Sequence, residues 1–174
     1  PTAQPNAGHL VLAEMEQDYD VTVITQNVDD LHERAGSHRV IHLHGELMRV
    51  CSSRDPDNPR CWETLTADHL EVRHGEKAKD GSLLRPWIVW FGEAVPNLDL
   101  AAREVEQADI FAVIGSSLNV YPAAGLIRYA PADSSVFVID PKPVRVPTRR
   151  EVEVIQEVAS KGVPLLRDRL KQLD

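Results

Sequence analysis

Long hydrophobic runs are missing from the sequence, and positive charge is scarce. No apolar stretch approaches the roughly 20 residues that a helix needs to cross a bilayer, and no charged-then-apolar leader precedes the first of them. The chain carries 27 acidic against 19 basic residues, a formal net charge of -8. General electrostatic attraction to nucleic acid or to an anionic membrane is therefore disfavoured. We expect a cytoplasmic protein that binds neither.

Cysteine is also scarce, with two residues in 174. That number is too small for the disulfide framework of a small secreted domain. Hydrophobic residues make up 43% of the chain and charged residues 26%, which is typical of a globular protein. These values predict one sizeable core, with at most a small insert.

A glycine-rich loop of the G-x-G-x-x-G type is absent, although strand and helix patterns alternate along the sequence. Runs at 21–25, 110–115 and 136–140 are too apolar to alternate, as is typical of parallel strands covered on both faces. Helical spacing occurs around 99–108 and 123–130, and an amphipathic helix with Pro164 in its first turn ends the chain. The pattern predicts an α/β fold, a Rossmann-like open parallel sheet with helices on both faces.

Residues 52–83 interrupt this alternation, because they are rich in turn-forming and polar residues. We expect a small inserted subdomain at 44–85 between two parts of one α/β lobe, 1–43 and 86–174. The first strand-to-helix turn of an open parallel sheet normally precedes the strands seen here. The lobe is therefore expected to be incomplete on its amino-terminal side.

Polar residues crowd the loop after the first predicted strand. Asp30 has the spacing of a capping box with the glutamate three residues later, and Gly36 stands where a helix would end. Gln26, Asn27 and Asp29 suit hydrogen bonding to a sugar or a carboxamide. A polar loop with a second potential cap is the alternative that the local pattern leaves open.

A second candidate loop follows the run at 110–115. Gly115 permits close approach of the backbone to a ligand, and Ser116 and Ser117 offer hydroxyl groups beside a predicted helix N-terminus. Phosphate or ribose oxygens fit such a loop. An ordinary capped turn is the alternative.

Two histidines, His42 and His44, lie one residue apart. If "VIHLH" is a strand, both imidazoles point to the same face, because successive strand side chains alternate. For His42 we prefer a solvated strand face. Gly45 leaves room for a ligand directly after His44, whose imidazole can take a proton from a sugar hydroxyl. His-x-His is also a metal-ligand spacing, so a metal-dependent hydrolase stays an alternative, although no further ligand has matching spacing.

Five motifs, taken in order and at their intervals, resemble the sirtuin family of NAD-dependent protein deacylases, its bacterial members in particular. They are "TQNVDDLHERAG", "VIHLHGEL", "RPWIVWFGEAVPN", "ADIFAVIGSSLNVYPAAG" and "VID". The motifs extend over nearly the whole chain, and five of them in order are improbable by chance.

The resemblance implies an NAD-dependent protein-lysine deacylase, with NAD as cofactor and acyl-lysine proteins or peptides as substrates. It makes the α/β lobe the NAD-binding part, His44 the catalytic base and His42 a structural neighbour. The implied cofactor contacts are Gln26, Asn27, Val28, Asp29, Gly115, Ser116, Ser117, Asp140, Pro141, Lys142 and Ala159. The implied peptide contacts, on two segments between which the peptide adds as a strand, are Phe91, Gly92, Glu93, Asn119, Val120 and Tyr121.

The implied reaction transfers the acyl group of an acyl-lysine to the ribose of NAD. The amide oxygen attacks the ribose carbon as nicotinamide leaves, and His44 deprotonates a ribose hydroxyl that then attacks the imidate. Deacetylation and desuccinylation both stay open, because the Tyr and Arg that mark desuccinylating members would lie upstream of this chain. A module that binds NAD without turnover is a further alternative.

The sequence departs from the family at two further places. Sirtuin zinc sites use paired Cys-x-x-Cys, whereas nine residues separate Cys51 from Cys61, so we expect no bound metal at the insert. A loose set of these cysteines with His69 and His74 is the alternative. Asp140 stands where the family usually has Asn, which exchanges a donor for a charge near the adenosine.

Overall fold

The computed structural model describes residues 2–66, 68–116, 118, 123–144, 146 and 151–172. Its α-helices are α1 (Ala7–Met15), α2 (Leu31–Ala35), α3 (Leu98–Val105) and α4 (Ala159–Leu170), and 3₁₀ helices lie at Pro59–Cys61 and Ala123–Tyr129. Its strands are β1 (Val23–Thr25), β2 (Val40–His42), β3 (Gly45–Ser52), β4 (Glu63–Thr64), β5 (Leu84–Ile88), β6 (Ile110–Ile114), β7 (Ser135–Ile139) and β8 (Glu153–Ile155). None of the helices in the described part of the chain has the length and apolar character of a membrane span.

The chain folds as two compact units. The first comprises Pro1–Ile24, Leu31–Ile41 and Leu98–Asp174, and the second comprises Thr25–Asp30 and His42–Asn97. The predicted insert at 44–85 falls inside the second unit, which continues to Asn97. The assignment of 1–43 and 86–174 to one NAD-binding lobe stays a prediction.

A parallel sheet with the strand order β6–β7–β8 belongs to the first unit, and β1 and β2 form a separate two-stranded sheet. Strands β6 and β7 lie on the predicted runs at 110–115 and 136–140, so the Rossmann-like α/β class is confirmed. No apolar run marks β8, because Glu153 is charged; Val154 is half exposed beside β7.

Strand β7 is apolar because both of its faces are covered. Phe137 and Ile139 pack in one cluster with residues of α1 and α4. Val138 lies in the other cluster with Val113 of β6 and Ala124 of the 3₁₀ helix. Alternate side chains of β7 thus enter two cores, which explains an apolar run without alternation.

Helix α4 begins earlier than the sequence pattern predicts. It starts at Ala159, so Pro164 lies inside the helix rather than in its first turn. The preceding "ASKG" stretch has no apolar periodicity, which is why the pattern missed the true start. Gly162 is needed there, because a Cβ at this position would lie 2.2 Å from Cγ2 of Ile139. The predicted helix at 123–130 is a 3₁₀ helix instead.

The second unit is built on an antiparallel sheet with the order β4–β3–β5. Gly45 opposes Ile88 at the start of β3, and the register shifts between Glu46 and Val50. The φ angle of Gly45 is +83°, and a Cβ on it would lie 2.0 Å from the carbonyl oxygen of Trp87. Only glycine satisfies both constraints.

Aromatic rings and one arginine join the 3₁₀ turn at Pro59–Cys61 to this sheet. The guanidinium carbon of Arg49 lies 4.9 Å from the ring centroid of Trp62 and 4.8 Å from that of Trp87. The two indole rings are 4.7 Å apart, and Trp62 Nε1 donates to the Pro56 carbonyl at 2.7 Å. Trp87 is therefore a core residue of the second unit.

A partly buried hydrogen-bond cluster joins the end of β3 to the turn that precedes β5. Ser52 Oγ donates to Asp80 Oδ2 at 2.6 Å and accepts from the backbone amides of Arg54 and Asp55, each at 3.1 Å. Ser82 donates to the other carboxylate oxygen of Asp80 from its hydroxyl, at 2.7 Å, and from its amide, at 2.9 Å. These bonds, with that from Ser52 the largest cause, lower the pKa of Asp80 to about 2.

The cysteines do not fit a zinc site. Cys51 is fully buried, its Sγ lies 3.9 Å from the Pro86 carbonyl, and burial raises the pKa of its thiol. Zinc binds the thiolate, so binding at Cys51 would have to release this proton in a buried position. Over the described ranges, no group of three or more His, Cys, Asp and Glu side chains could hold a metal ion. The absence of zinc stays a prediction.

We predict that Asp80→Asn destabilises the second unit at neutral pH and that the difference from wild type narrows in acid. The pKa of Asp80 is depressed in the folded state, so its ionised form contributes stability that is fully present above pH 3.8. That contribution is lost as the pH falls towards about 2. Urea unfolding midpoints of both proteins, at neutral pH and at about pH 3, measure this narrowing.

The matched control is Asp133→Asn, at an exposed turn residue of the first unit, which should leave both midpoints unchanged. Excess EDTA should not move the wild-type midpoint. A midpoint difference for Asp80→Asn that is as large in acid as at neutral pH would contradict this account of the cluster.

Candidate functional site

His44 lies in the short connection between β2 and β3. Its Nδ1 is 3.0 Å from the carbonyl oxygen of Gln26, and its own carbonyl accepts from the amide of Val89 at 2.9 Å. A carbonyl oxygen only accepts hydrogen bonds, so Nδ1 carries the proton and Nε2 of the neutral ring keeps its lone pair. The geometry gives His44 a defined basic nitrogen.

The structure corrects the interpretation of His42 as a residue on a solvated strand face. Its side chain is only 5% exposed, and the adjacent Leu43 is 1% exposed. Strand β2 ends at His42, so strand alternation does not extend to His44. Nδ1 of His42 lies 3.2 Å from the Asn27 carbonyl, and the carbonyl of His42 accepts from Asn97 Nδ2 at 2.8 Å. His42 is a buried structural residue.

The loop at 26–30 holds both histidines through its main chain. The carbonyls of Gln26 and Asn27 face the two imidazoles, and the Val28 carbonyl accepts from Leu47 of β3 at 2.7 Å. The Asn27 amide donates to Thr25 Oγ1 at 3.0 Å. From the sequence, the side chains of these residues were expected to contact the cofactor. A side-chain pattern could not reveal that their backbone carbonyls hold the histidines.

The side chains of this loop remain accessible to different degrees. Asn27 is exposed, while Gln26, Val28, Asp29 and Asp30 are partly buried. Asp30 directly precedes α2, the position of an N-cap, and Gly36 follows α2 with a φ of +105°. Gly36 therefore ends the helix as the sequence predicts. The roles of Asp29 and Asp30 stay predictions.

The turn at 90–93 presents two aromatic side chains to solvent. Trp90 is 57% exposed and Phe91 is fully exposed, and Gly92 has a φ of +93°. Both carboxylate oxygens of Glu93 are bonded to Arg85, at 2.7 and 3.0 Å. These bonds, the largest cause, lower the pKa of Glu93 to about 2. The carboxylate expected to face the peptide is thus already paired within the chain.

The remaining cofactor positions belong to the first unit. Gly115 and Asp140 follow Ile114 of β6 and Ile139 of β7, which are register partners in the parallel sheet. Both residues therefore lie at the carboxyl edge of the sheet, where open α/β sheets bind ligands. The Gly115 amide donates to the Ile139 carbonyl at 2.8 Å, and φ of Gly115 is +61°.

The Asp140 turn and the start of α4 complete this group. Asp140 Oδ1 accepts a hydrogen bond from the Lys142 amide at 2.8 Å. The side-chain oxygen of an asparagine could accept the same bond, so both Asn and Asp are compatible with this turn. Pro141 and Lys142 are exposed, and Ala159 is the first residue of α4. Ser116 Oγ accepts from the Leu118 amide at 3.4 Å. The predicted residues that lie outside the described ranges are Ser117, Asn119, Val120 and Tyr121.

Sequence reasoning missed Arg85 and Asn97. Both occur in the quoted motif "RPWIVWFGEAVPN", yet neither has a partner at a helical or strand spacing. Arg85 meets Glu93 only because the chain turns after β5, and Asn97 reaches the carbonyl of His42 across 55 positions. A contact formed by tertiary structure leaves no local signal.

Comparisons with known proteins agree with the five motifs. Residues 1–122 match the model of the Sir2 family. A protein of Bacteroides thetaiotaomicron named NAD-dependent protein deacylase is 58% identical over 170 residues, which are 98% of this chain and 71% of that protein. A Helicobacter pylori protein of the same name is 50% identical over 155 residues, which are 89% of this chain and 65% of the relative.

A solved structure, described as a Sir2 homologue in complex with NAD, superposes with a TM-score of 0.81 at 38% identity. The superposition covers 99% of this chain and 68% of the other. The chain thus spans between 65% and 71% of the length of these three proteins. It belongs to the Sir2 family, which the sequence motifs resemble.

Proposed function

We propose that the chain supplies the general base and part of the substrate-binding surface of an NAD-dependent protein-lysine deacylase. The relatives are named NAD-dependent protein deacylases. The observation that carries the proposal is the bond between His44 Nδ1 and the Gln26 carbonyl, at 3.0 Å, because it leaves Nε2 as the proton acceptor. A cytoplasmic location stays a prediction.

His44 would act on a ribose hydroxyl. NAD supplies the ribose that accepts the acyl group, with nicotinamide as the leaving group. His44 Nε2 takes the hydroxyl proton while Nδ1–H stays bonded to Gln26, so the ring keeps its orientation when it becomes charged. General-base help of this kind typically contributes about 10²–10⁴ in rate.

The residues proposed to contact the cofactor are assigned from their positions in the fold. Gly115 and Asp140, with Ser116, Pro141 and Lys142 beside them, lie at the carboxyl edge of the parallel sheet, where the adenosine and phosphates of a dinucleotide are bound in open α/β sheets. Gln26, Asn27, Val28 and Asp29 are proposed for the nicotinamide and its ribose. A metal-dependent hydrolase gains no support, since no group of metal ligands occurs among the described residues.

Nicotinamide release tests the proposal. The protein expressed from its complete gene should release nicotinamide from NAD only when an acetyl-lysine or succinyl-lysine peptide is present, and EDTA should not abolish the release. The ratio of the two peptides measures the acyl preference. No release with either peptide would overturn the proposal and favour a module that binds NAD without turnover.

We predict that His44→Ala loses activity, whereas His42→Ala loses stability. His44→Ala should lower deacylation by about 10²–10⁴ and change NAD affinity by no more than a few fold, because the base acts on the transition state. His42→Ala should cost about 1–3 kcal/mol of unfolding free energy, because it empties a buried, hydrogen-bonded position. Its turnover per folded molecule should stay near wild type.

The comparison uses wild type, His44→Ala and His42→Ala. For each protein we would measure the single-turnover rate, the NAD affinity by titration and the urea unfolding curve. Equal loss of activity in both variants with unchanged stability would show that the two histidines act together, and the assignment of His44 alone would be wrong.

We predict a second division of roles between Asp29 and Asp30. Asp29→Asn should weaken both NAD-dependent turnover and inhibition by nicotinamide, because both depend on one carboxamide pocket. Asp30→Ala should leave turnover nearly unchanged and cost about 1 kcal/mol, the typical effect of a lost N-cap. Thermal melts and nicotinamide-release rates decide between them, and a large loss of melting temperature in Asp29→Asn with normal turnover would reverse the assignment.

A further inference from the structure

We propose that Arg85 is a positioning residue, which holds the turn at 90–93 in the one shape that lets its main chain pair with an acyl-lysine peptide. This inference rests on the proposed function. Arg85 touches neither the peptide nor NAD in this account. It acts through Glu93 and through the carbonyl of Ile88.

The guanidinium of Arg85 closes the turn at both ends. Nη1 and Nη2 bind the two oxygens of Glu93, at 2.7 and 3.0 Å, and Nη2 also donates to the Ile88 carbonyl at 2.8 Å. Ile88 is the last residue of β5, and Glu93 is the last residue of the turn. One side chain therefore fixes the distance between the place where the chain leaves the sheet and the place where the turn ends.

Glu93 also forms hydrogen bonds with the backbone of the turn. Its Oε2 accepts from the Trp90 amide at 3.0 Å, and its own amide donates to the Trp90 carbonyl at 3.0 Å. With the carboxylate held by Arg85, the backbone of Trp90 and Glu93 is fixed, and the chain between them consists of Phe91 and Gly92. Phe91 is fully exposed, so nothing in the described structure other than these bonds orders it.

The position of the ion pair argues for a geometric role rather than a stabilising one. The Arg85 side chain is 20% exposed and that of Glu93 is 40% exposed, and the two residues are only eight positions apart, so the pair closes one short segment and joins no distant parts of the unit. The fork-to-fork geometry instead restricts orientation. Removal of Arg85 should therefore loosen the turn more than it lowers the melting temperature.

A direct role of Glu93 in reading charged peptide side chains is disfavoured. Both carboxylate oxygens already have partners, and the depressed pKa of Glu93, about 2, keeps the pair ionised through the neutral range. A cavity of about 220 Å³ adjoins the pair and is lined by both Arg85 and Glu93. The opposite charges of Arg85 and Glu93 face the same wall, so the ion pair itself adds no net charge there for a charged ligand.

The test compares Arg85→Gln and Glu93→Gln with wild type. Two readouts are needed: the rate of chymotryptic cleavage after Trp90 or Phe91, which reports the order of the turn, and steady-state kinetics with acetyl-lysine peptide. In both variants we expect cleavage and the peptide KM to rise by about tenfold, the effect of one charge-assisted hydrogen bond. Peptide-saturated kcat and the KM for NAD should stay within about twofold.

Three further variants make the result specific. Arg85→Lys keeps the charge without the fork and should give intermediate values of both readouts. The exchanged pair Arg85→Glu with Glu93→Arg should restore part of the loss. Arg169→Gln breaks a more exposed ion pair in the first unit, Arg169 to Glu153 at 2.9 Å, and should change neither readout.

Wild-type cleavage and peptide KM in Arg85→Gln would overturn this inference and leave the proposed function standing. So would a fall of kcat and melting temperature together, because that pattern indicates general structural damage. A wild-type protein that releases no nicotinamide with any acyl peptide would overturn the proposed function, and this inference with it.

Discussion

The close approach of β3 to β5 at Gly45 is the constraint on which the second unit depends. No side chain fits between the Cα of Gly45 and the Trp87 carbonyl, where a Cβ would lie 2.0 Å from the oxygen. This contact fixes His44, the residue before Gly45, whose carbonyl accepts from Val89 just beyond β5. It also fixes where β5 ends and the turn at 90–93 begins. The proposed base and the turn proposed to bind the peptide are therefore held by the same contact.

Main-chain carbonyls orient the rings of the two histidines. Gln26 O faces Nδ1 of His44, and Asn27 O faces Nδ1 of His42. A hydrogen bond with a net contribution of about 1 kcal/mol shifts a two-state tautomer equilibrium by about fivefold. The same contact also sets the direction of the ring. The loop at 26–30 can therefore orient His44 through its backbone carbonyls. Its side chains are not used for this and stay available for the proposed cofactor contacts.

The sequence predicted those features that depend on local pattern. The runs that became β6 and β7, the α/β class and the stop of α2 at Gly36 all follow from apolar periodicity or glycine geometry. The pattern could not predict that His42 is buried, because polar residues in buried positions are recognised only by tertiary hydrogen bonds. The pairing of Arg85 with Glu93, eight residues apart, and the edge strand β8 were missed because neither follows a helix or strand periodicity.

The role proposed for His44 requires that its proton is on Nδ1, which leaves Nε2 as the base. Nitrogen NMR of protein labelled with ¹⁵N-histidine measures this directly, with the signals of His44 identified by their loss in His44→Ala. In the neutral ring, we expect a protonated, pyrrole-type Nδ1 and an unprotonated, pyridine-type Nε2. A neutral His44 with its proton on Nε2 would contradict it.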